Sequence, residues 1–225
     1  IAIIVATAAR RERAQPLWRA LDSIRRQQGV RAVPIVVANG PARDPEIVST
    51  LAADRSIRLL SLDKGDYPRA LRVGRACVDT EWFSQLDDDD LLLPDALFTR
   101  WTAGVADPQC DAVISNGWSC HGDDNTLRLS PSRLQEIRDD PLRALRAGNW
   151  LSSCAGLFRA ASITEEVFAD MPKYLEWTYL ACYLSLRCRL RFVDAPSYIC
   201  HAGSVASLSG SDAYLIGQAS AIAAI

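Results

Sequence analysis

The chain has 225 residues, 49% of them apolar, and a formal net charge of −2. This length suits one domain with a full hydrophobic core, and the apolar content excludes a disordered chain. Because the arginines are scattered and no basic block occurs, nucleic-acid binding is not expected. No apolar run reaches the roughly 18 residues typical of a membrane-spanning helix.

Short β-rich segments recur along the chain and are typical of strands. They occupy residues 1–5, 33–38, 57–62, 82–86, 112–115 and 190–193. The first of them lacks the charged front of a signal peptide, so a strand is the better prediction there. Helical patterns separate the first four segments. Continuous apolar strands that alternate with helices indicate a parallel sheet covered on both faces.

The helices are predicted from apolar spacing and from their start signals. Leu17, Leu21 and Ile24 share one helical face, and Asp44 followed by proline is typical of an N-cap and first helical position. Further helices are expected over 68–78, after Pro94, from 141 to 148, and over about 172–187. The apolar segment 214–225 lacks the lysines and arginines of a membrane-surface helix, so packing on the domain is predicted.

Four consecutive aspartates, Asp87 to Asp90, follow the fourth predicted strand. In open α/β sheets, ligands bind beyond the carboxyl ends of the strands. Four adjacent carboxylates repel one another, and the buried strands beside them increase the cost. One interpretation is a solvated acidic turn before the helix that begins near Pro94. The other is a site for Mg²⁺ or Mn²⁺, which prefer oxygen ligands.

Seven cysteines occur, an odd number, and none forms a C-x-x-C pair. Several lie in apolar segments, as buried free thiols do. A zinc site and a disulfide framework are therefore not expected, and a reducing compartment is predicted.

The acidic segment "LDDDDLLLPDAL" resembles the DxD segment of family 2 glycosyltransferases, whose usual form is L-D-x-D-D-x-x-x-P. Upstream, "IIVATAAR", "ALDSIRRQQ", "VPIVVANG" and "DKGDYPRALRVGRACVDTEWFSQLD" resemble the earlier strands and helices of that family, in the family's order. Downstream, "SSCAGLFRA", "YLEWTYLACYLS" and "RFVDAPSYICHAG" resemble its acceptor-side strand, its catalytic-base helix and the strand that follows. The resemblance covers nearly the whole chain.

This resemblance implies a single α/β domain of the GT-A fold, with a Rossmann-like, mostly parallel central sheet flanked by helices. Residues 1–105 are expected to form the nucleotide-sugar half and residues 106–225 the acceptor half. The implied reaction is inverting transfer from a nucleotide-diphosphate sugar, with a UDP-sugar as the favoured donor and Mn²⁺ or Mg²⁺ as cofactor. The implied acceptor is a glycan or a lipid-linked glycan in surface polysaccharide synthesis. A cytoplasmic location is expected, with contact to the inner membrane face left open.

The resemblance also implies site residues. Donor contacts fall at Thr7, Asn39, Asp87 and Asp88, the metal falls at Asp89, and the general base falls at Glu176. Two positions depart from the family pattern. Ala38-Asn39 replaces an aspartate pair, which puts a uridine preference in doubt, because an amide offers different hydrogen-bond donors and acceptors. Glu176-Trp177 stands where the family usually has Glu-Asp followed by Trp.

The sequence alone is compatible with alternatives. Glu176 is also explained as a first-turn helix acid, Arg69 as a diphosphate contact or a surface residue, and His201 as a metal ligand or a structural loop residue. At the level of function, the rivals are a sugar-phosphate nucleotidyltransferase and a sugar-nucleotide-binding module without catalysis.

Overall fold

The computed structural model describes residues 1–122 and 124–201. Their strands form one sheet that is flanked by helices. The strands are β1 (Ala2–Thr7), β2 (Val33–Asn39), β3 (Arg58–Leu62), β4 (Trp82–Gln85), β5 (Leu91–Leu92), β6 (Ala112–His121), β7 (Asp124–Leu127), β8 (Gly156–Arg159) and β9 (Leu190–His201). The helices are α1 (Ala14–Arg25), α2 (Pro45–Ala53), α3 (Tyr67–Ala76), α4 (Ala96–Val105), α5 (Pro131–Asp139), α6 (Pro141–Ala144) and α7 (Glu176–Arg187).

The first four strands pair in the order β3-β2-β1-β4, and all three pairings are parallel. The sequence predicted this half, because the apolar runs of β1 and β2 are buried almost without interruption. Parallel strands place their carboxyl ends at one edge of the sheet. The residues that follow β1, β2 and β4 therefore converge there.

The remaining strands make the sheet mixed. β8 lies between β4 and β6 and is antiparallel to both, whereas β9 is parallel to β6. The sheet as a whole is therefore mixed, and only the β3-β2-β1-β4 part is entirely parallel. This refines the expectation of a mostly parallel sheet. β5 and α4 lie before residue 106, in the predicted nucleotide-sugar half, but they contact strands of the predicted acceptor half. β5 pairs with β9, and α4 packs on β6 and β9.

The predicted start of α2 is confirmed, and its N-cap residue explains why the helix begins there. Asp44 accepts hydrogen bonds from the backbone N–H groups of Glu46 and Ile47 at the start of α2. α3 packs so closely on β1 that a methyl group added at Gly74 would lie 2.6 Å from Cγ2 of Ile4. Glycine at this position therefore allows the helix to approach the sheet.

The last described helix differs from its prediction. α7 begins at Glu176 and not near Pro172, because Tyr174 adopts a left-handed backbone with φ of 72° and breaks the helical path. The helix α5 was not predicted, since its mainly polar sequence shows little apolar periodicity. Within the described residues, no helix is long and apolar enough to cross a bilayer. The prediction for 214–225 lies outside the described residues.

Candidate active site

Several strand ends meet at the carboxyl edge of the parallel half of the sheet. Thr7 ends β1 and pairs in register with Ala38 of β2, next to Asn39. Leu86, which follows β4, donates its backbone N–H to the carbonyl oxygen of Ile4 at 3.0 Å. This bond places the four aspartates beside the end of β1, as the strand order requires.

Asp88 is buried, and its carboxylate is held by two side chains. The Thr7 hydroxyl donates to Oδ2 of Asp88 at 2.5 Å, and the Arg13 guanidinium forms an ion pair with the same carboxylate. Arg13 also lies 3.1 Å from Oδ2 of Asp89. Burial alone would lower the pKa of Arg13, but the hydrogen bonds and charges of Asp88 and Asp89 raise it above its ordinary value. One cation thus offsets part of the repulsion within the acidic segment.

Asp87 points toward α3. The Tyr67 hydroxyl donates to Oδ1 of Asp87 at 2.6 Å, and Ser153 also hydrogen-bonds to this carboxylate. Burial, together with the nearby charge of Asp90, raises the pKa of Asp87 to about 7. Its surroundings therefore favour the neutral carboxyl in the absence of a further positive charge.

Glu176 is the first residue of α7, and the residue is only 5% exposed. Oε1 accepts the backbone N–H of Tyr174 at 2.9 Å. Burial raises the pKa of Glu176, although the backbone hydrogen bonds lower it in part. A carboxylate with a raised pKa is a stronger proton acceptor than an exposed one, which suits a general base.

Tyr67 connects the acidic segment with the start of α7. Its ring contacts Trp177 edge-on, with 6.4 Å between the ring centroids, while its hydroxyl binds Asp87. Burial raises the pKa of Tyr67 well above its ordinary value, and Asp87 and Glu176 add to the rise, so both carboxylates lie within electrostatic range of the phenol. The structure thus brings Asp87 and Glu176, which are distant in sequence, to one region.

Asn39 lies at the end of β2, and its side chain is engaged by the chain itself. Oδ1 of Asn39 accepts the backbone N–H of Asp66 at 3.0 Å, just before α3. Arg69 is exposed in the first turn of that helix. It lines a cleft of about 340 Å³ with Asp66, Pro68, Arg72, Phe168, Ala169, Met171 and Lys173. Asp66 and Lys173 also act electrostatically on Glu176, so the cleft adjoins the start of α7.

Sequence reasoning missed two residues at this edge. The scattered arginines show no sequence pattern typical of a site, yet the side chain of Arg13 is only 12% exposed. The position of Arg13 before α1 does not indicate a role in the site, because a short 3₁₀ turn at Arg11–Arg13 directs the arginine toward the aspartates. Tyr67 lies in a segment that resembles the family, but no local pattern indicates a role for it, and only its contacts with Asp87 and Trp177 reveal one.

His201 ends β9 close to the acidic segment. Its backbone N–H donates to Oδ1 of Asp90 at 3.0 Å. Its Nδ1 atom is buried and finds no partner among the residues that the structure describes. The hydrogen bond with Asp90 is thus made by the backbone of His201 and not by its imidazole.

Solved structures with the same fold include those of TarS of S. aureus. The chain aligns with TarS residues 1–349 in complex with UDP at a TM-score of 0.63 and 14% identity, covering 89% of this chain and 60% of the other. With the UDP-GlcNAc complex the TM-score is 0.65 at 13% identity, and the coverage is 93% and 60%. This chain is therefore shorter than either structure, and the likeness establishes the fold, which is of the GT-A type.

The sequence comparison places the chain within a family. A family model described as Glycosyl transferase family 2 matches residues 3–164, well over half of the chain. The chain therefore belongs to glycosyl transferase family 2, as the resemblance in the acidic segment and its flanks indicated. No curated protein matches the chain.

Proposed function

We propose that this domain is an inverting glycosyltransferase that moves a sugar from a nucleotide-diphosphate donor to a hydroxyl group of a glycan or glycoconjugate. One observation carries the proposal: Tyr67 joins the acidic segment at Asp87 to the region of the buried Glu176. Inverting transfer requires a leaving group held on one side of the sugar and a base on the other. Family membership and this arrangement together support the reaction.

The donor is proposed to lie across the carboxyl edge of β1, β2 and β4. Thr7, Asp87 and Asp88 would face its ribose and diphosphate, and Arg69 would neutralise charge from the first turn of α3. Asn39 would meet the base. Because its Oδ1 already accepts the N–H of Asp66, its Nδ2 donor is the group left to read a base oxygen or nitrogen. The TarS structures hold UDP and UDP-GlcNAc, which favours a UDP-sugar.

A divalent cation is proposed at Asp89. The donor set fits, because Asp89 and its neighbours offer carboxylate oxygens, the ligands that Mg²⁺ and Mn²⁺ prefer. The raised pKa of Asp87 indicates that this edge accommodates further positive charge. Arg13, at 3.1 Å from Asp89, would have to share that carboxylate with the ion. Bound there, the ion would stabilise the negative charge that develops on the departing diphosphate.

The base is proposed to be Glu176. The acceptor oxygen forms a bond to the anomeric carbon as the bond from that carbon to the diphosphate oxygen breaks. The acceptor proton passes to a carboxylate oxygen of Glu176, and the configuration at the anomeric carbon inverts. Such a base contributes roughly 10²–10⁴-fold to the rate.

The two sides of the reaction give the proposed division of the domain. Residues 1–105 supply the donor contacts, and residues 106–225 supply Glu176 and the acceptor side. This division is one of function, since the sheet is continuous through β8. A cytoplasmic role in surface polysaccharide synthesis completes the proposal.

The test is a panel of nucleotide sugars with Mn²⁺ or Mg²⁺. Slow hydrolysis of one donor and thermal stabilisation by the same donor are expected, because a ligand that binds only the folded state raises the melting temperature. A chelator should abolish both effects. Binding without release of sugar, even when glycan acceptors are supplied, would instead identify a binding module. If no donor in the panel is bound or hydrolysed, the proposal is overturned. Family membership argues against the nucleotidyltransferase.

A further inference from the structure

At the last residue of the acidic segment, three potential metal ligands form a tight triangle. Asp90 follows β4, Cys154 precedes β8, and Cys200 lies near the end of β9. Oδ2 of Asp90 lies 3.1 Å from Sγ of Cys200 and 3.5 Å from Sγ of Cys154. The two sulfur atoms are 3.5 Å apart. Neither thiol is in a disulfide, and Asp90 and Cys154 are buried.

These distances can be compared with a tetrahedral metal site. Zinc binds thiolate sulfur at about 2.3 Å and carboxylate oxygen at about 2.0–2.2 Å, so one face of its tetrahedron has edges of roughly 3.8 Å between sulfurs and roughly 3.5 Å between sulfur and oxygen. The three observed edges each lie within about half an ångström of these values. The side chains therefore stand close to the positions of three zinc ligands without a backbone rearrangement.

The surroundings of the triangle suit this use. The backbone N–H of His201 donates to Oδ1 of Asp90, which fixes the carboxylate with Oδ2 toward the sulfurs. A hydrogen bond of this kind commonly orients a metal-binding carboxylate. Arg128 lies within electrostatic range of Asp90, Cys154 and Cys200. A divalent ion with two thiolates and one carboxylate carries a net charge of −1, and the guanidinium of Arg128 offsets it.

We propose that Asp90, Cys154 and Cys200 bind a thiophilic divalent cation, with zinc as the best match. Binding releases two protons, one from each thiol, while the carboxylate of Asp90 joins as the third ligand. The softness of the sulfur ligands separates this site from the all-oxygen site proposed at Asp89. The ion would tie together the chain after β4, the chain before β8 and the end of β9, next to the proposed donor contacts. This site is independent of the transferase activity.

A disulfide between Cys154 and Cys200 is the competing use of the same pair. It would require the sulfur atoms to approach from 3.5 Å to about 2.05 Å. It would also leave Asp90 without a reason to lie at similar distances from both sulfurs. A bound metal explains the positions of all three side chains, whereas a disulfide explains only those of the two cysteines.

The test uses the fully reduced protein, freed of metal, under anaerobic conditions and without nucleotide. Titration with Co²⁺ should produce a sulfur-to-cobalt charge-transfer band that saturates at one ion per chain, and Zn²⁺ should abolish the band by displacement. Cys154→Ser combined with Cys200→Ser should remove the band, and Asp90→Asn should weaken binding at least tenfold. Cys110→Ser is the matched control, because Cys110 is also buried and free but lies outside the triangle. It should keep the full band.

Three outcomes would overturn the proposal. They are no charge-transfer band in the parent protein, a band that persists in the double variant, and a reversible loss of two thiols on oxidation without any metal binding. The first and third readouts use the parent protein, so they decide the question even if the double variant does not fold. None of them requires a nucleotide sugar, so failure of the proposed function would leave this test intact.

Discussion

At the scale of single residues, the candidate site depends on how each carboxylate is held. Glu176 is buried at the first position of α7, and its Oε1 accepts the N–H of Tyr174. Asp88 is bound by Thr7 and Arg13. Asp87 is bound by Tyr67. Asp87 and Asp88 thus have different partners although they are neighbours in the acidic segment, and their chemistry should differ accordingly.

We expect Glu176→Gln to lower the turnover of sugar transfer by at least about a hundredfold, the low end of the contribution of a general base. Glutamine preserves the size and the acceptor for Tyr174 but cannot take a proton. Donor affinity should not change. Transfer assays at saturating donor measure the effect. Asp170→Asn and Asp194→Asn are controls, since both acids are exposed and Asp194 is paired with Arg138. Loss of transfer in one of these controls, with a fully active Glu176→Gln enzyme, would move the base there.

The same substitution should change the pH dependence of stability. Because burial raises the pKa of Glu176, the folded protein holds this proton at pH values where the unfolded chain has lost it. The free energy of unfolding should therefore fall as pH rises from the ordinary glutamate pKa through the raised one. Glu176→Gln should remove that part of the slope and be at least as stable as the parent at neutral pH. Urea unfolding across the pH range tests this, and an unchanged slope would contradict it.

Asn39→Asp separates the structural role of Asn39 from base recognition. Aspartate keeps the acceptor for the N–H of Asp66 but replaces the Nδ2 donor with an acceptor. We expect the ranking of UDP, GDP and dTDP as competitors to change, with little loss of stability. Calorimetric titration of each nucleotide against both proteins measures the ranking. If the ranking and the affinities are identical in the two proteins, Asn39 does not face the base.

Arg13→Ala should destabilise the fold by about 3 kcal/mol, because removing one partner of a largely buried ion pair leaves the other charge uncompensated. In the Asp88→Asn variant, Arg13→Ala should lower the stability by less, since the carboxylate charge of Asp88 is no longer there for Arg13 to offset. Denaturant unfolding of the four proteins gives the coupling. Arg11→Ala is the control, because Arg11 pairs with Asp44 and Glu46 at the exposed surface, where an ion pair contributes little. Equal losses for Arg11 and Arg13 would rule out the proposed compensation.

At the scale of elements, the site depends on how α3 is docked. Its N-cap Asp66 is fixed by Asn39, its first residue Tyr67 reaches Asp87, and Gly74 packs against Ile4 of β1. The contact at one end of the helix therefore sets the position of the tyrosine at the other end. A small displacement of α3 would separate Tyr67 from Asp87.

Gly74→Ala tests this docking. Alanine favours a helix by up to about 1 kcal/mol over glycine. Its methyl group would nevertheless lie 2.6 Å from Ile4 and 3.3 Å from Val37, and overpacking costs about 1–3 kcal/mol. We expect a net loss of stability together with weaker nucleotide binding. Arg72→Ala, on the exposed side of the same helix, should leave stability within about 0.5 kcal/mol. A stabilised Gly74→Ala protein would show that the contact relaxes freely.

At the scale of the whole molecule, one sheet carries both proposed functional halves. β8 joins the parallel strands to β6 and β9, and β5 pairs with β9 across the proposed boundary. The start of α7 meets the acidic segment through Tyr67. Events at the donor edge should therefore reach the acceptor side.

We expect UDP with Mn²⁺ to slow amide hydrogen exchange at the ends of β1 and β4 and also at the start of α7. The reason is that Tyr67 contacts Asp87 on one side and Trp177 on the other. UDP without metal should have a weaker effect at all three places. Hydrogen-exchange mass spectrometry measures this. Protection confined to residues 1–105 would contradict a coupling between the two halves.

The sequence by itself determined the parallel half of the sheet, the helix α2 with its cap and the acidic segment at a strand end, because these features depend on local patterns. Buried parallel strands have to be apolar throughout, and Asp44 caps the next turn of its own chain. It also placed Glu176 in the first turns of a predicted helix, although the observed helix begins only at Glu176.

Only the tertiary structure decided which distant residues meet. Arg13 joins Asp88 across 75 positions, and Cys200 joins Asp90 across 110. No local pattern encodes such contacts, because they depend on strand order and on the docking of helices. The insertion of β8 between β4 and β6 likewise follows from the packing of the whole sheet. The physical reason is the same in each case: local patterns fix secondary structure, whereas a site is built from side chains that separate elements bring together.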